Sequence, residues 1–274
     1  YNQVLGMPEK WVGLGIMIAL IADAFLDPIV GYVSDNLHTR WGRRHPLMYL
    51  SAIPVAVSYR FLWSPPEGLS HGELFAYFVG LSIVIRACIS LYEVPSSSLV
   101  PELTTHYDER TSLLGFRYFF GWSGGLAMAI VAFQVFLQPS AAYPVGVLNA
   151  DGYRAYGLAA SVVMALAILI SAGGTHSYIP HLRKPPPKQP FELGRTFREM
   201  RETLANRSFL SLFGAMIFGS MAGGLSAALN MYFNTFFWEL TSDQMAFLML
   251  TSFVSAAIAL AVAPRVSASI GKKA

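Results

Sequence analysis

Two carboxylates stand four residues apart in LIADAFLDPIVGYVSD, the stretch from Leu20 to Asp35, and nearly everything around them is apolar. An Asp placed at mid-bilayer costs roughly 2.5 to 3.5 kcal/mol on insertion scales, so two on one helix need compensation. The i, i+4 spacing puts Asp23 and Asp27 on one face, one turn apart, where bare negative charges repel. A bound H⁺ or Na⁺ removes that repulsion, and Pro28 adds a further oxygen by leaving the Ala24 carbonyl without its helical N–H. Oxygen-rich sites suit hard cations, so Asp23 and Asp27 are candidate proton sites and, for Na⁺, candidate metal ligands.

A second polar constellation occupies IRACISLYEVPSSSLVPE. Arg86, Ser90, Glu93 and Ser97 fall along one helical face. Pro95 frees the Leu91 carbonyl and predicts an unwound turn beside Glu93, while a salt bridge to an acid is the expected use of Arg86. Arg117 lies just inside the next apolar run, and Arg60, near the end of its own, snorkels. Asn230 and Asn234 in LNMYFNTFF share an i, i+4 face that suits either a substrate hydroxyl or an interhelical hydrogen bond. The glycine-rich FGWSGGLAM and FGSMAGGLS stretches predict close helix packing.

The elements that must carry these groups are membrane helices. Charged residues are 13% of the 274-residue chain and AVILMFWYC residues 54%, whereas soluble domains carry roughly 25% charge. Windows of about 20 apolar residues place seven spans, at Trp11–Val33, Pro46–Trp63, Leu74–Leu99, Ser112–Gln138, Tyr156–Ile179, Phe209–Trp238 and Gln244–Pro264. Most of the 19 Lys and Arg residues fall in connections on one side, including Arg40, Arg43, Arg44 and the run from Arg183 to Arg207. The positive-inside rule makes that side cytoplasmic, with residue 1 outside and residue 274 inside. Residues 181–208 form a linker whose PHLRKPPPKQPF start is proline-stiffened and whose Leu193, Phe197, Met200 and Leu204 face suits either an interfacial helix or a solvated linker helix. It separates an N-terminal half, 1–180, from the beginning of a second half, 209–274.

A net charge of only +3 says little about nucleic acid, and no nucleic-acid partner is expected. The single Cys88 excludes an internal disulfide and reads as packing. Tyr1 to Lys10 lacks the basic start of a signal peptide. No zinc spacing, Walker loop or nucleophile elbow occurs, so neither an enzyme nor a cofactor is expected.

DAFLDPIVGYVSD, then RWGRRHP, then YEVPSSSLVPELTTHYDERTSLLGFR together resemble the glycoside-pentoside-hexuronide:cation symporters, the melibiose-permease-like branch of the major facilitator superfamily. GVLNADGYRAYG and the NRSF stretch opening the sixth span are similar to bacterial members. The resemblance runs along essentially the whole chain. It implies an all-α membrane protein whose seven spans match helices 2 to 8 of a twelve-helix fold, in a bacterial inner membrane. It implies cation binding by Asp23, Asp27 and Ser90, and sugar binding by Glu93 and Arg117, the latter aligned across a one-residue gap. Gly31, Asp35, Gly42 and Arg43 match the cytoplasmic gating motif. The partners implied are a sugar or glycoside and the lipid bilayer. Oligomeric state is not implied.

Two positions depart from the family pattern. Leu26 stands where melibiose-type members carry a polar amide, which removes a cation ligand and favours proton coupling. Ser97 replaces an aromatic that stacks on the sugar there, so galactoside specificity does not carry over. Helix one and helices nine to twelve of the family fold have no counterpart in the sequence, and a carrier needs both halves around its midplane site, so this segment alone is not expected to transport. A lipid or lysolipid carrier of the same fold is the nearest rival. A seven-helix receptor is disfavoured because the final span lacks a Schiff-base Lys and one Cys cannot bridge. An intramembrane aspartyl protease needs its acids on different helices.

Overall fold

The computed structural model describes residues 1–104, 106–143, 146–182 and 201–238, with 248, 251–255, 257–259, 262 and 266. All its regular structure is helical; among the described residues no strand occurs. Two compact units divide the chain, Tyr1–Lys188 with Leu260–Ala274, and Gln189–Ala259.

In the first unit a short α1 (Asn2–Leu5) precedes α2 (Glu9–Asn36), α3 (His45–Leu62), α4 (His71–Leu103), α5 (Tyr107–Val131) and α6 (Ala150–His176). Side chains satisfy orphan N–H groups at the starts of α4 and α6. Ser70 and Glu73 form a reciprocal capping box at α4, and the Asn149 side chain accepts the Gly152 N–H at α6. Such caps contribute about 1 kcal/mol each. Proline does not interrupt the long helices: Pro28 lies inside α2, and Pro95 and Pro101 inside α4. The unwound turn expected beside Glu93 is therefore absent, and α4 is continuous.

Packing is organised around α3, which lies against both α4 and α6. Ala52 and Val55 of α3 meet Ile85 and Cys88 of α4 and Ile168 of α6 in a buried cluster, so Cys88 serves packing. The α2–α4 contact is close because Gly15 faces the Phe78 ring, where a Cβ would sit 2.7 Å from the ring edge. Gly157 likewise admits the Trp63 side chain between α3 and α6. The glycines expected to pack, Gly121, Gly124 and Gly125 on α5, would meet nothing within 4 Å if given a Cβ. Glycine thus marks the α2–α4 and α3–α6 seams instead.

Among the described residues five helices are long and apolar enough to cross a membrane: Glu9–Asn36, His71–Leu103, Asp108–Phe136, Ala150–His176 and Arg207–Ala227. The expected second span is helical as α3, but its 18 residues include buried His45, Ser51 and Ser58, and it is not one of the five. Large apolar side chains such as Phe25, Ile53, Trp122 and Ile170 are more than 70% exposed, which water tolerates poorly and lipid or a neighbouring helix satisfies.

The second unit holds α7 (Arg207–Tyr232), capped by Asn206 through the N–H groups of Ser208 and Phe209. Residues 201–205 are helical. Among the described residues, the glycines of α7, Gly214, Gly219, Gly223 and Gly224, likewise have nothing within 4 Å of an added Cβ. Both α5 and α7 end in a π-turn, at Ala132–Phe136 and Phe233–Phe237. The first part of the expected interfacial helix, at 193–200, and most of the expected seventh span, Gln244–Pro264, lie outside the described residues.

Candidate functional site

Close approach of α2 and α4 brings Asp23 to the face of α4 that carries Arg86 and Ser90. These two are one turn apart, so both reach the same carboxylate. Arg86 Nη1 donates to Asp23 Oδ2 at 3.0 Å, and Ser90 Oγ donates to Asp23 Oδ1 at 3.1 Å. Arg86 is thereby the counter-ion of Asp23, and the two aspartates are not an equivalent bare pair. Asp27, one turn further along α2, is exposed and makes no hydrogen bond or ion pair among the described residues.

Further along α4, Glu93 meets Arg117 of α5. Arg117 Nη2 donates to Glu93 Oε1 at 2.5 Å and to Ser97 Oγ at 2.9 Å, while Nη1 donates to Ser96 Oγ at 2.8 Å. Ser97 Oγ also donates to Glu93 Oε1, at 3.4 Å. A guanidinium fork held by three oxygens, beside an exposed carboxylate, presents the donor and acceptor pair that a diol requires. Ser96 escaped the sequence reading; its only signal was the serine run itself.

At the Asn36 end of α2 the chain reverses through Gly42, whose φ of 75° is left-handed and favours glycine. Thr39 Oγ1 donates to the Gly42 carbonyl at 2.7 Å. The reversal sends Arg43 and Arg44 back toward α4. Arg43 Nη2 reaches Glu102 Oε1 at 2.6 Å, and Arg44 donates to the same oxygen from Nε at 2.9 Å and Nη2 at 2.7 Å. Asp35 lies 3.5 Å from Arg43 and 3.3 Å from Arg44 but is half exposed, whereas the Glu102 side chain is 5% exposed. Among the described residues, Glu102 Oε2 and Arg43 Nε are buried without partners. Of the expected gating residues, Asp35, Gly42 and Arg43 come together here. A Cβ on Gly31 would meet only Val94, at an ordinary 3.7 Å. Arg44 and Glu102 join the cluster although sequence reasoning did not assign them; Glu102 sits in the quoted VPE.

Beside this cluster α3 is pinned to the far end of α6. His45 Nε2 lies 3.0 Å from Thr175 Oγ1, and Tyr49 OH lies 3.1 Å from His176 Nδ1. His45, the residue before the expected second span, is wholly buried. Burial, then the nearby His176, lowers its pKa below the ordinary imidazole value, with the Thr175 contact opposing.

Asn230 and Asn234 lie in the second unit, where Asn234 Nδ2 donates to Asn230 Oδ1 at 2.7 Å. A cavity of about 750 Å³ opens among Tyr1, Trp63, Glu67, Tyr153 and Arg154. It borders Leu74, about five turns of α4 before Glu93, so it is separate from the charged constellation. Among the described residues no group of three His, Cys, Asp or Glu side chains is placed to hold a metal ion.

Long apolar helices with ionised groups paired across their seams define a multi-pass helical membrane protein in which those charges are functional candidates. The profile of the MFS/sugar transport protein family matches residues 1–274, and the chain belongs to that family. It is 37% identical over 135 residues to an uncharacterized symporter of Synechocystis sp., covering 47% of this chain and 25% of that protein. Against the isoprimeverose transporter of Lactiplantibacillus pentosus, identity is 30% over 48% of this chain and 27% of the relative. An uncharacterized symporter of Bacillus subtilis is 26% identical across 100% of this chain, which spans 57% of that relative's length. The matches thus cover well under two thirds of each of these relatives.

Proposed function

We propose that this chain is part of a cation-coupled symporter that moves a sugar or glycoside across a bacterial inner membrane by alternating access. The relatives' names support the sugar and the symport; the observation that carries the coupling is the position of Asp27. Among the described residues it is an unpaired carboxylate one turn from Asp23, whose own charge is held by Arg86 and Ser90. A carboxylate left alone at membrane depth is stable only when neutralised, so occlusion of the carrier waits on a cation. Asp23, Asp27 and Ser90 form the cation side. Glu93 and Arg117 hold sugar hydroxyls.

In this reading the seven spans match helices 2 to 8 of twelve, residues 1–180 belong to the first half, 181–208 link, and 209–274 open the second. Residue 1 is outside and residue 274 cytoplasmic. The charge cluster of Asp35, Arg43, Arg44 and Glu102 closes the cytoplasmic side. The polar fork at Arg117 favours a sugar over a lipid cargo. Asp27→Cys in the complete carrier that contains this chain is expected to abolish cation-dependent uptake of labelled glycosides, isoprimeverose among them, while surface expression persists. Unchanged coupling in that variant would refute the assignment.

A further inference from the structure

Arg86 is the one charged side chain of the cation side that symport itself does not explain. Its guanidinium takes Asp23 Oδ2, and Ser90 takes Oδ1, so both oxygens of that carboxylate are already engaged. A hard metal ion needs several oxygen ligands at once. Asp27 offers one carboxylate, and Leu26 beside it offers no side-chain oxygen. A metal ion seated between the aspartates would also lie against a fixed positive charge. At ~4 Å and an effective dielectric of ~20 that repulsion weakens binding on the order of a thousandfold.

We propose that Arg86 is a tethered cation that fills the alkali-metal position at Asp23 and so makes this carrier indifferent to Na⁺ and Li⁺. The inference rests on the symport reading and narrows it: Asp23, Asp27 and Arg86 together carry one net negative charge, and the slot a metal ion would neutralise is occupied by the protein itself. Arg86 is a specificity residue in this sense. The charged side chains on the helix packed against α2 are Glu73, Arg86, Glu93 and Glu102. Of these only Arg86 pairs with Asp23, while Glu93 is held by Arg117 and Glu102 by Arg43 and Arg44.

The test needs no sugar. The complete carrier, purified in detergent, is melted in NaCl, in LiCl and in choline chloride of equal ionic strength. Wild type is expected to show the same melting temperature in all three. Arg86→Gln, which keeps a hydrogen-bond donor and removes the charge, is expected to gain a saturable Na⁺-dependent rise; Arg86→Lys is expected to remain indifferent. A saturable Na⁺ shift in wild type overturns the proposal, as does a cooperatively melting Arg86→Gln that ignores Na⁺. If Arg86→Gln does not fold, the wild-type comparison decides alone. A Na⁺ response in wild type would leave symport standing, whereas failure of symport itself is read separately in the Asp27→Cys uptake assay.

Discussion

Arg117 shows how a single side chain sets what a site can recognise. Three oxygens, from Glu93, Ser96 and Ser97, hold its guanidinium in a fork at 2.5 to 2.9 Å. A lysine keeps the charge but offers one compact ammonium in place of that planar fork. Arg117→Lys in the complete carrier is therefore expected to raise the KM for uptake by at least about tenfold, roughly 1.4 kcal/mol, with little change in surface expression. An unaltered KM would remove Arg117 from the sugar contacts. Sequence periodicity could place Arg86, Ser90, Glu93 and Ser97 on one face because an α-helix repeats reliably. It could not say which acid Arg86 would reach, because the partner lies 63 residues earlier on another helix. Ser96 was invisible for a similar reason: its role depends on where α5 lies.

Among the elements, α3 is the one that a purely apolar criterion undervalues. It buries serines and a histidine and is not one of the five long apolar spans, yet α4 and α6 both lean on it. Its first turn depends on a neutral His45. Because burial depresses the imidazole pKa in the folded protein, the unfolded chain binds a proton more readily than the native one. Stability from this group is present above the ordinary imidazole value and is lost as pH falls toward the lowered folded value. Melting of the complete carrier is expected to drop between about pH 7.5 and 5.5, and His45→Asn is expected to flatten that drop. A drop of the same size in the variant would assign it elsewhere. Helix positions were readable from apolar runs, and the first six expected spans all fall on helices, although α5 begins at Tyr107 before the expected Ser112 and α6 at Ala150 before the expected Tyr156. Proline and glycine misled the reading. Pro95 does not break α4 because tertiary contacts on both sides of it hold the helix, and the glycines that matter, Gly15 and Gly157, sit singly where a ring must enter.

For the whole molecule, in the transport reading proposed above for a chain of the MFS/sugar transport protein family, the cluster at the Asn36 end of α2 is the feature with the widest reach. Removing one partner of a buried ion pair typically costs 3 to 5 kcal/mol; half-exposed Asp35 offsets part of that here. Glu102→Gln is expected to cost about 3 kcal/mol in the closed arrangement and so to populate the open one. A cysteine introduced by Ser34→Cys, at a position now wholly buried, should then react with maleimide at least about tenfold faster. Cys88 is itself buried and slow to compete. An unchanged rate would show that Glu102 does not hold that end shut.

Both arginines of that cluster rest on the same atom, Glu102 Oε1, while Oε2 has no partner. They share one point of support, so cancelling the charge on that carboxylate undoes two attachments in a single event, with only the more weakly placed Asp35 left to slow it. A fastening of that kind lets go abruptly, as a latch does, where arginines on separate acids would loosen one after the other.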